Sequence, residues 1–232
     1  MKLGFAGLTH LGATHLIASV KLGFDVVAFD PGRKSLKGCD LVFVTQDVDC
    51  DADLRLLNCL LDQVLADAPA PTPIVLMSQV PPGYTRAWAA KRVNVFYQAN
   101  TLIMNCALER AMKPEQIIVG EPDPAVGFLP RAYAEYFDSF KVPVHRMTYE
   151  SAEFAKLAIN TMLGSQIATA SSLSAAAVNC GAEWNDVVKT LKGDKRIGPH
   201  AYLNPGTIGG HLPRDIERVK AMLPNDRFAQ AL

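Results

Sequence analysis

The chain has 232 residues, 49% hydrophobic and 20% charged, enough for one or two domains with a sizeable core. Lys+Arg and Asp+Glu both number 23, so the net charge is zero and no basic footprint invites nucleic acid or an acidic membrane surface. Five cysteines, at 39, 50, 59, 106 and 180, form no C-x-x-C pair and lie at no His-containing ligand spacing, which points to a reduced, cytoplasmic setting without a metal site.

The N-terminus MKLGFAGLTHLGATHLIASV is apolar, but Gly and His interrupt it and no small-residue cleavage site follows, so it reads as the start of a domain and not as a leader. No other stretch approaches the ~18 apolar residues of a membrane span. KLGFAG is a short apolar run ending in Gly, and ATHLIASVKLGF follows with helical spacing at Leu16, Ile17, Val20 and Leu22. DVVAFD, DLVFVTQ, PIVLMSQV, VNVFYQA, EQIIVGE and KVPVHRM read as six further strands. The helical stretches among them are DADLRLLNCLLDQVLADA, GYTRAWAAKR, CALERAMK and DPAVGFLPRAYAEYFDSF. Strands alternating with helices predict βαβ units: an α/β, Rossmann-like, doubly wound and mostly parallel sheet over residues 1–147.

After Tyr149 the strand signals stop. ESAEFAKLAINTMLGSQIATASSLSAAAVNC predicts one long helix ended by Gly181, EWNDVVKTLKG a second ended by Gly193, and a last helix starts near Asp215. Residues 148–232 are therefore expected to form a smaller all-helical domain. Its SSLSAAAV run is dense in small residues that let helices pack closely.

The first strand leads into GLTHLG, Gly7 to Gly12. At this point of an α/β sheet a G-x-G-x-x-G loop holds a dinucleotide pyrophosphate on the helix N-terminus. Gly7 supplies the tight turn and Gly12 the close helix packing, while Thr9 stands where the backbone must approach the phosphates. His10 and Leu11 complete the turn, and Asp30 ends the second strand where an acid would bind the adenine ribose and select NAD over NADP. The other reading is a Gly turn that binds nothing, with the Thr9 hydroxyl capping the helix. On the long helix, Glu153, Lys156 and Asn160 share one face at i, i+3 and i+7. A Lys there can stabilise a developing alkoxide and an Asn can orient the same oxygen. An isolated E-x-x-K pair is equally a solvated salt bridge.

Together these segments resemble the UDP-glucose/GDP-mannose dehydrogenase family. KLGFAGLTHLG resembles its opening strand and turn, VVAFD its ribose-binding strand, LVFVTQDVD its third strand and SQVPPGYT its Ser-Thr-Val-Pro-x-Gly-Thr turn. MKPEQIIVGEPDP is similar to the approach to its sixth strand, ESAEFAKLAINTMLG to its Lys/Asn helix, GDKRIGPHAYLNPG to its Asp-x-Arg-Ile-Gly segment and GGHLPRD to its active-site loop, all in colinear order. The resemblance implies NAD as cofactor, a nucleotide sugar as substrate, and oxidation of an alcohol to a carboxylate in two hydride transfers through a thiohemiacetal on a Cys. It further implies catalytic roles for Lys156, Asn160 and Asp215, and cofactor contacts at Gly7, Thr9, His10, Leu11, Gly12, Asp30, Ser78, Val80 and Pro81. Arg196, with Gly209, Gly210 and His211 of the loop, would contact substrate; the family often uses that Arg across a homodimer interface, so a homodimer is expected.

The departures from the family matter as much. GGHLPRD is one residue short of Gly-Gly-x-Cys-x-Pro-Lys-Asp, and the residue lost is the Cys. Asn100 and Met104 replace two glutamates, Gln79 replaces the turn Thr, and Ser171-Ser172 replace an Asn-Glu pair. Only Pro31–Cys39 links Asp30 to Asp40, short for a parallel crossover. The sequence ends before the family's nucleotide-binding C-terminal domain. Two expectations follow: an oxidoreductase limited to one hydride transfer, or an inactive relative that serves as a binding or scaffold protein. His211 is either a replacement base or a solvent-facing loop residue.

Overall fold

The computed structural model of the chain describes residues 1–231, apart from the side chains of Met104 and Phe228. It divides into two compact units after Lys156, later than the residue 147 expected, because one helix runs uninterrupted across that point.

The first unit is a seven-stranded sheet: β1 (Lys2–Ala6), β2 (Asp25–Ala28), β3 (Leu41–Val44), β4 (Ile74–Leu76), β5 (Val95–Gln98), β6 (Ile117–Glu121) and β7 (Val144–Thr148). Each expected strand forms. The spatial order is β2-β1-β3-β4-β5-β6-β7, parallel at every pairing except β5 with β6. β3, β4, β5 and β6 are buried at every residue, as strands covered on both faces must be, which is why they read as unbroken apolar runs. The order reverses between β1 and β3, and a doubly wound sheet binds ligands beyond the carboxyl ends of the strands at such a reversal. No helix joins β2 to β3; Asp30 to Lys34 close a turn and Leu36 and Cys39 tuck under the sheet.

The helices of this unit are α1 (His10–Lys21), α2 (Asp51–Asp67), α3 (Tyr84–Ala89), α4 (Ala107–Met112) and α5 (Arg131–Asp138). Phe5 stacks on Phe43 at 5.3 Å, Phe43 meets Tyr136 at 4.9 Å, and Tyr133 packs on Phe137 at 4.2 Å, so α5 covers the sheet with a row of rings. Two expectations are corrected here. α5 begins at Arg131 and not near Asp123, because Pro124, Gly127 and Pro130 hold the preceding stretch as a loop. α1 turns Ile17 and Val20 outward and buries Leu11, Thr14, His15, Ala18 and Ser19, a face too polar for an apolar pattern to reveal.

α6 (Tyr149–Cys180) spans 32 residues and ends at Gly181, whose φ of +74° makes the left-handed stop its sequence predicts. The second unit adds α7 (Trp184–Gly193), α8 (Leu212–Met222) and α9 (Arg227–Ala231). Gly193 closes α7 from inside its last turn, and Asp194 follows in extended conformation as the cap. At Gly164 a Cβ would lie 2.6 Å from Ile216, so the missing side chain is what lets α8 approach α6.

Candidate functional site

The Gly7–Gly12 turn lies at the sheet reversal. Gly7 has φ +84°, and a Cβ on Gly12 would fall 2.1 Å from the Gly7 carbonyl oxygen, so both glycines are required by the backbone. The Thr45 hydroxyl, fully buried at the end of β3, donates to the Ala6 and Gly7 carbonyls at 3.1 and 2.9 Å and fixes the turn from behind. Thr9 is the N-cap residue of α1, yet its hydroxyl makes no cap hydrogen bond. It donates to the Thr45 carbonyl at 3.2 Å and accepts from the Asp47 N–H at 2.9 Å. The Asp47 carboxylate in turn accepts from the Leu11 N–H at 3.3 Å. His10 is exposed in the first turn of α1, and Leu11 and Gly12 are buried.

Asp30 is exposed two residues beyond β2, with Arg33 at 3.9 Å across the turn. Past β4, the Ser78 hydroxyl is fully buried with no hydrogen-bond partner among the described residues. Val80 is buried and Pro81 half-buried in the turn that follows, where Gly83 has φ +91°. Glu153 holds that turn: its carboxylate accepts from the Gly83 N–H at 2.5 Å and the Thr85 N–H at 2.8 Å. Burial pushes the Glu153 carboxyl above its ordinary range, while those hydrogen bonds pull the other way. The i, i+3 spacing from Glu153 to Lys156 thus misled; the acid serves the turn before α3 and not a solvated ion pair. Glu150, one helical turn earlier, is held down to about 2 by its hydrogen bonds to the Arg86 guanidinium.

Lys156 and Asn160 lie one turn apart on α6, both buried. Asn160 Nδ2 donates to Asp215 Oδ2 at 2.6 Å, and Asp215, in the first turn of α8, has no exposure at all. Its other oxygen faces two guanidiniums, Arg214 at 3.0 Å and Arg218 at 3.6 Å. A buried carboxylate needs such partners to remain charged. The arrangement also fixes the Asn160 amide: with Nδ2 on Asp215, its oxygen is the acceptor end.

The loop before α8 is open. Gly209 and Gly210 are exposed, Gly210 with φ +64°, and His211 is the N-cap residue of α8 with Nδ1 3.4 Å from an Arg214 nitrogen. Arg196 lies elsewhere in this unit's surface, 88% exposed, its guanidinium gripping Asp194 at 3.0 and 2.6 Å. That hydrogen-bonded pair holds the Asp194 carboxyl below its usual range. Asn100 accepts from the Leu102 N–H at 3.2 Å; the Met104 side chain lies outside the described residues.

Sequence reading missed three participants, Arg214, Arg218 and Asp47, and the role of Glu153. Arg218 follows Asp215 at i+3, a spacing that does place a cation beside a helical acid, whereas Arg214 directly precedes it and carries no such signal. Glu153 and Asp47 act on backbone N–H groups far away in sequence, and nothing local signals that.

Comparison with known proteins fits this geometry. Residues 150–231 match the UDP-glucose/GDP-mannose dehydrogenase family, central domain. UDP-glucose 6-dehydrogenase of Campylobacter jejuni is 25% identical over 201 residues, covering 83% of this chain and 51% of that enzyme. Among solved structures, a UDP-glucose dehydrogenase from Pyrobaculum islandicum superposes with TM-score 0.78 at 24% identity, over 95% of this chain and 63% of that one. UDP-D-ManNAc dehydrogenase from Pyrococcus horikoshii gives 0.79 at 20% identity, over 100% and 68%. At those identities the structural matches establish the fold. The chain spans about half the length of the curated relatives it matches.

Proposed function

We propose that this chain, a relative of the nucleotide-sugar dehydrogenases, is an NAD-dependent oxidoreductase that removes one hydride from the CH–OH group of a donor, with a nucleotide sugar as the donor class. The observation that carries this reading is the buried Asp215 carboxylate hydrogen-bonded to Asn160, one helical turn beyond buried Lys156. Burying a charged acid beside two arginines is costly unless the arrangement serves a purpose, and charged groups held away from water act strongly on developing charge.

In this reading Asp215 fixes the amide of Asn160, Asn160 orients the donor hydroxyl, and the Lys156 ammonium stabilises the alkoxide that develops as the hydroxyl proton passes to water. NAD, when bound, supplies the ring that accepts the hydride. Gly7, Thr9, His10, Leu11 and Gly12 would face its pyrophosphate, Asp30 its adenine ribose, and Ser78, Val80 and Pro81 its nicotinamide end. The orphaned Ser78 hydroxyl supports that assignment, since a buried hydroxyl without a partner is costly unless a ligand completes it. Arg196, Gly209, Gly210 and His211 are the substrate-side candidates. The sequence has no cysteine after Cys180, so no thiolate on this loop could capture the aldehyde, and the reaction ends after one hydride.

Part of α6 exposes Met162, Leu163, Leu173 and Val178, which suits a homodimer formed along that helix. No described helix is long and apolar enough to cross a membrane, and a cytoplasmic enzyme is the setting that fits the cysteine usage. A second reading, a relative that binds without catalysis, is favoured by the Arg196–Asp194 pair, which occupies the guanidinium meant for substrate.

The test is to mix the full chain with NAD and a panel of UDP- and GDP-sugars and follow NADH. NADH is expected with at least one donor, and Lys156→Ala should lower its kcat by about 10²- to 10³-fold, the scale of losing one oxyanion donor. NAD binding without NADH from any donor would establish the non-catalytic reading instead.

A further inference from the structure

We propose that Thr9 and Asp47 form an internal latch over the dinucleotide seat, so that NAD enters only by displacing the Asp47 carboxylate from the N-terminus of α1. The inference rests on the reading that the Gly7–Gly12 turn takes NAD. A helix N-terminus receives a pyrophosphate through its first unpaired backbone N–H groups, here those at the start of α1. One of them, Leu11 N–H, already donates to Asp47 Oδ2 at 3.3 Å. A carboxylate satisfies such a donor and is favoured by the helix dipole, as a phosphate would be, and two anions cannot share the place.

Thr9 is what brings Asp47 there. Its hydroxyl accepts the Asp47 backbone N–H at 2.9 Å and donates to the Thr45 carbonyl at 3.2 Å, tying the segment after β3 across the turn. The segment is also crowded from below, since a Cβ on Gly7 would lie 2.8 Å from the Gln46 nitrogen. A glycine at position 9 could make neither side-chain contact, and the segment would lose its anchor. Thr45, Gln46 and Asp47 follow the carboxyl end of β3 and Gly7 follows that of β1, the two strands that flank the sheet reversal. The latch therefore lies at the place where this topology puts a ligand.

The experiment compares the full chain with Asp47→Ala, Thr9→Gly and Asp51→Asn, the last removing a negative charge from the exposed start of α2. NAD affinity is measured by calorimetry, and hydrogen exchange of the Leu11 amide is measured without ligand. Asp47→Ala and Thr9→Gly are each expected to tighten NAD at least tenfold and to speed Leu11 exchange, with Asp51→Asn changing neither. Measurable NAD binding of equal strength in Asp47→Ala and the parent chain overturns the latch and leaves the cofactor reading intact. An equal gain in Asp51→Asn also overturns it, since it would reduce the effect to general charge. No NAD binding by any of the four chains overturns the latch and the cofactor reading together, even with Leu11 exchange responsive.

Discussion

The sheet unit and the helical unit are held together by different means. In the sheet, Leu3, Phe5, Phe43, Val75, Val119, Tyr133 and their neighbours form one continuous apolar cluster, and the central strands bury both faces. In the helical unit α7 has no buried residue, apolar side chains of α6 stand exposed at Met162, Leu173 and Val178, and a polar cluster forms around buried Asp215. The sheet is stabilised by area removed from water, whereas the helical unit combines directional contacts with apolar surface left exposed.

Substitutions can break that contrast. Phe43→Ala, which removes a ring packed between Phe5 and Tyr136, should lower unfolding free energy by about 3–5 kcal/mol in chemical denaturation. Asp215→Ala should cost a similar ~3–5 kcal/mol by leaving the Arg214 and Arg218 charges beside a vacated acceptor. An apolar substitute for Asp215 that proved harmless would show that the helical unit also rests mainly on area.

A pH titration sharpens the sheet side. His15 is 7% exposed and burial lowers it from 6.5 to about 4, opposed in part by the neighbouring Asn100 side chain. The native state therefore binds fewer protons than the unfolded one across that window, and its stability is full above pH 6.5 and falls as pH drops toward 4. The loss should approach roughly 3 kcal/mol, and His15→Leu should flatten the curve. On the helical side, Gly181→Ala should cost about 1 kcal/mol, all of it backbone strain, because a Cβ there meets nothing within 4 Å. The smallest stability effect belongs to Leu173→Lys on the exposed face of α6, within about 0.5 kcal/mol, and on the proposed homodimer it should appear as a shift to monomer in sedimentation.

The same contrast explains what the sequence made legible. The central strands could be read from their apolar runs, because burial on two faces demands them, and α6 could be bounded because Gly181 must end it. Lys156, Asn160 and Asp215 came from motif order, and the Asn160–Asp215 hydrogen bond then joins residues far apart in the chain. The face of α1 was misread because a core position occupied by His15 carries no apolar signal. Thr9 was visible as a departure from the glycine pattern, but its partner Asp47 was not, since a side chain that reaches a distant backbone N–H leaves no periodicity behind.

The proposed chemistry turns on how many hydrides leave the donor. The most direct measurement is the ratio of NADH formed to donor consumed by the full chain, with the sugar product identified by mass. A ratio near one with an aldehyde product is predicted, because the loop GGHLPRD carries no cysteine to hold the aldehyde for a second oxidation. A ratio near two with a carboxylate product would contradict the account.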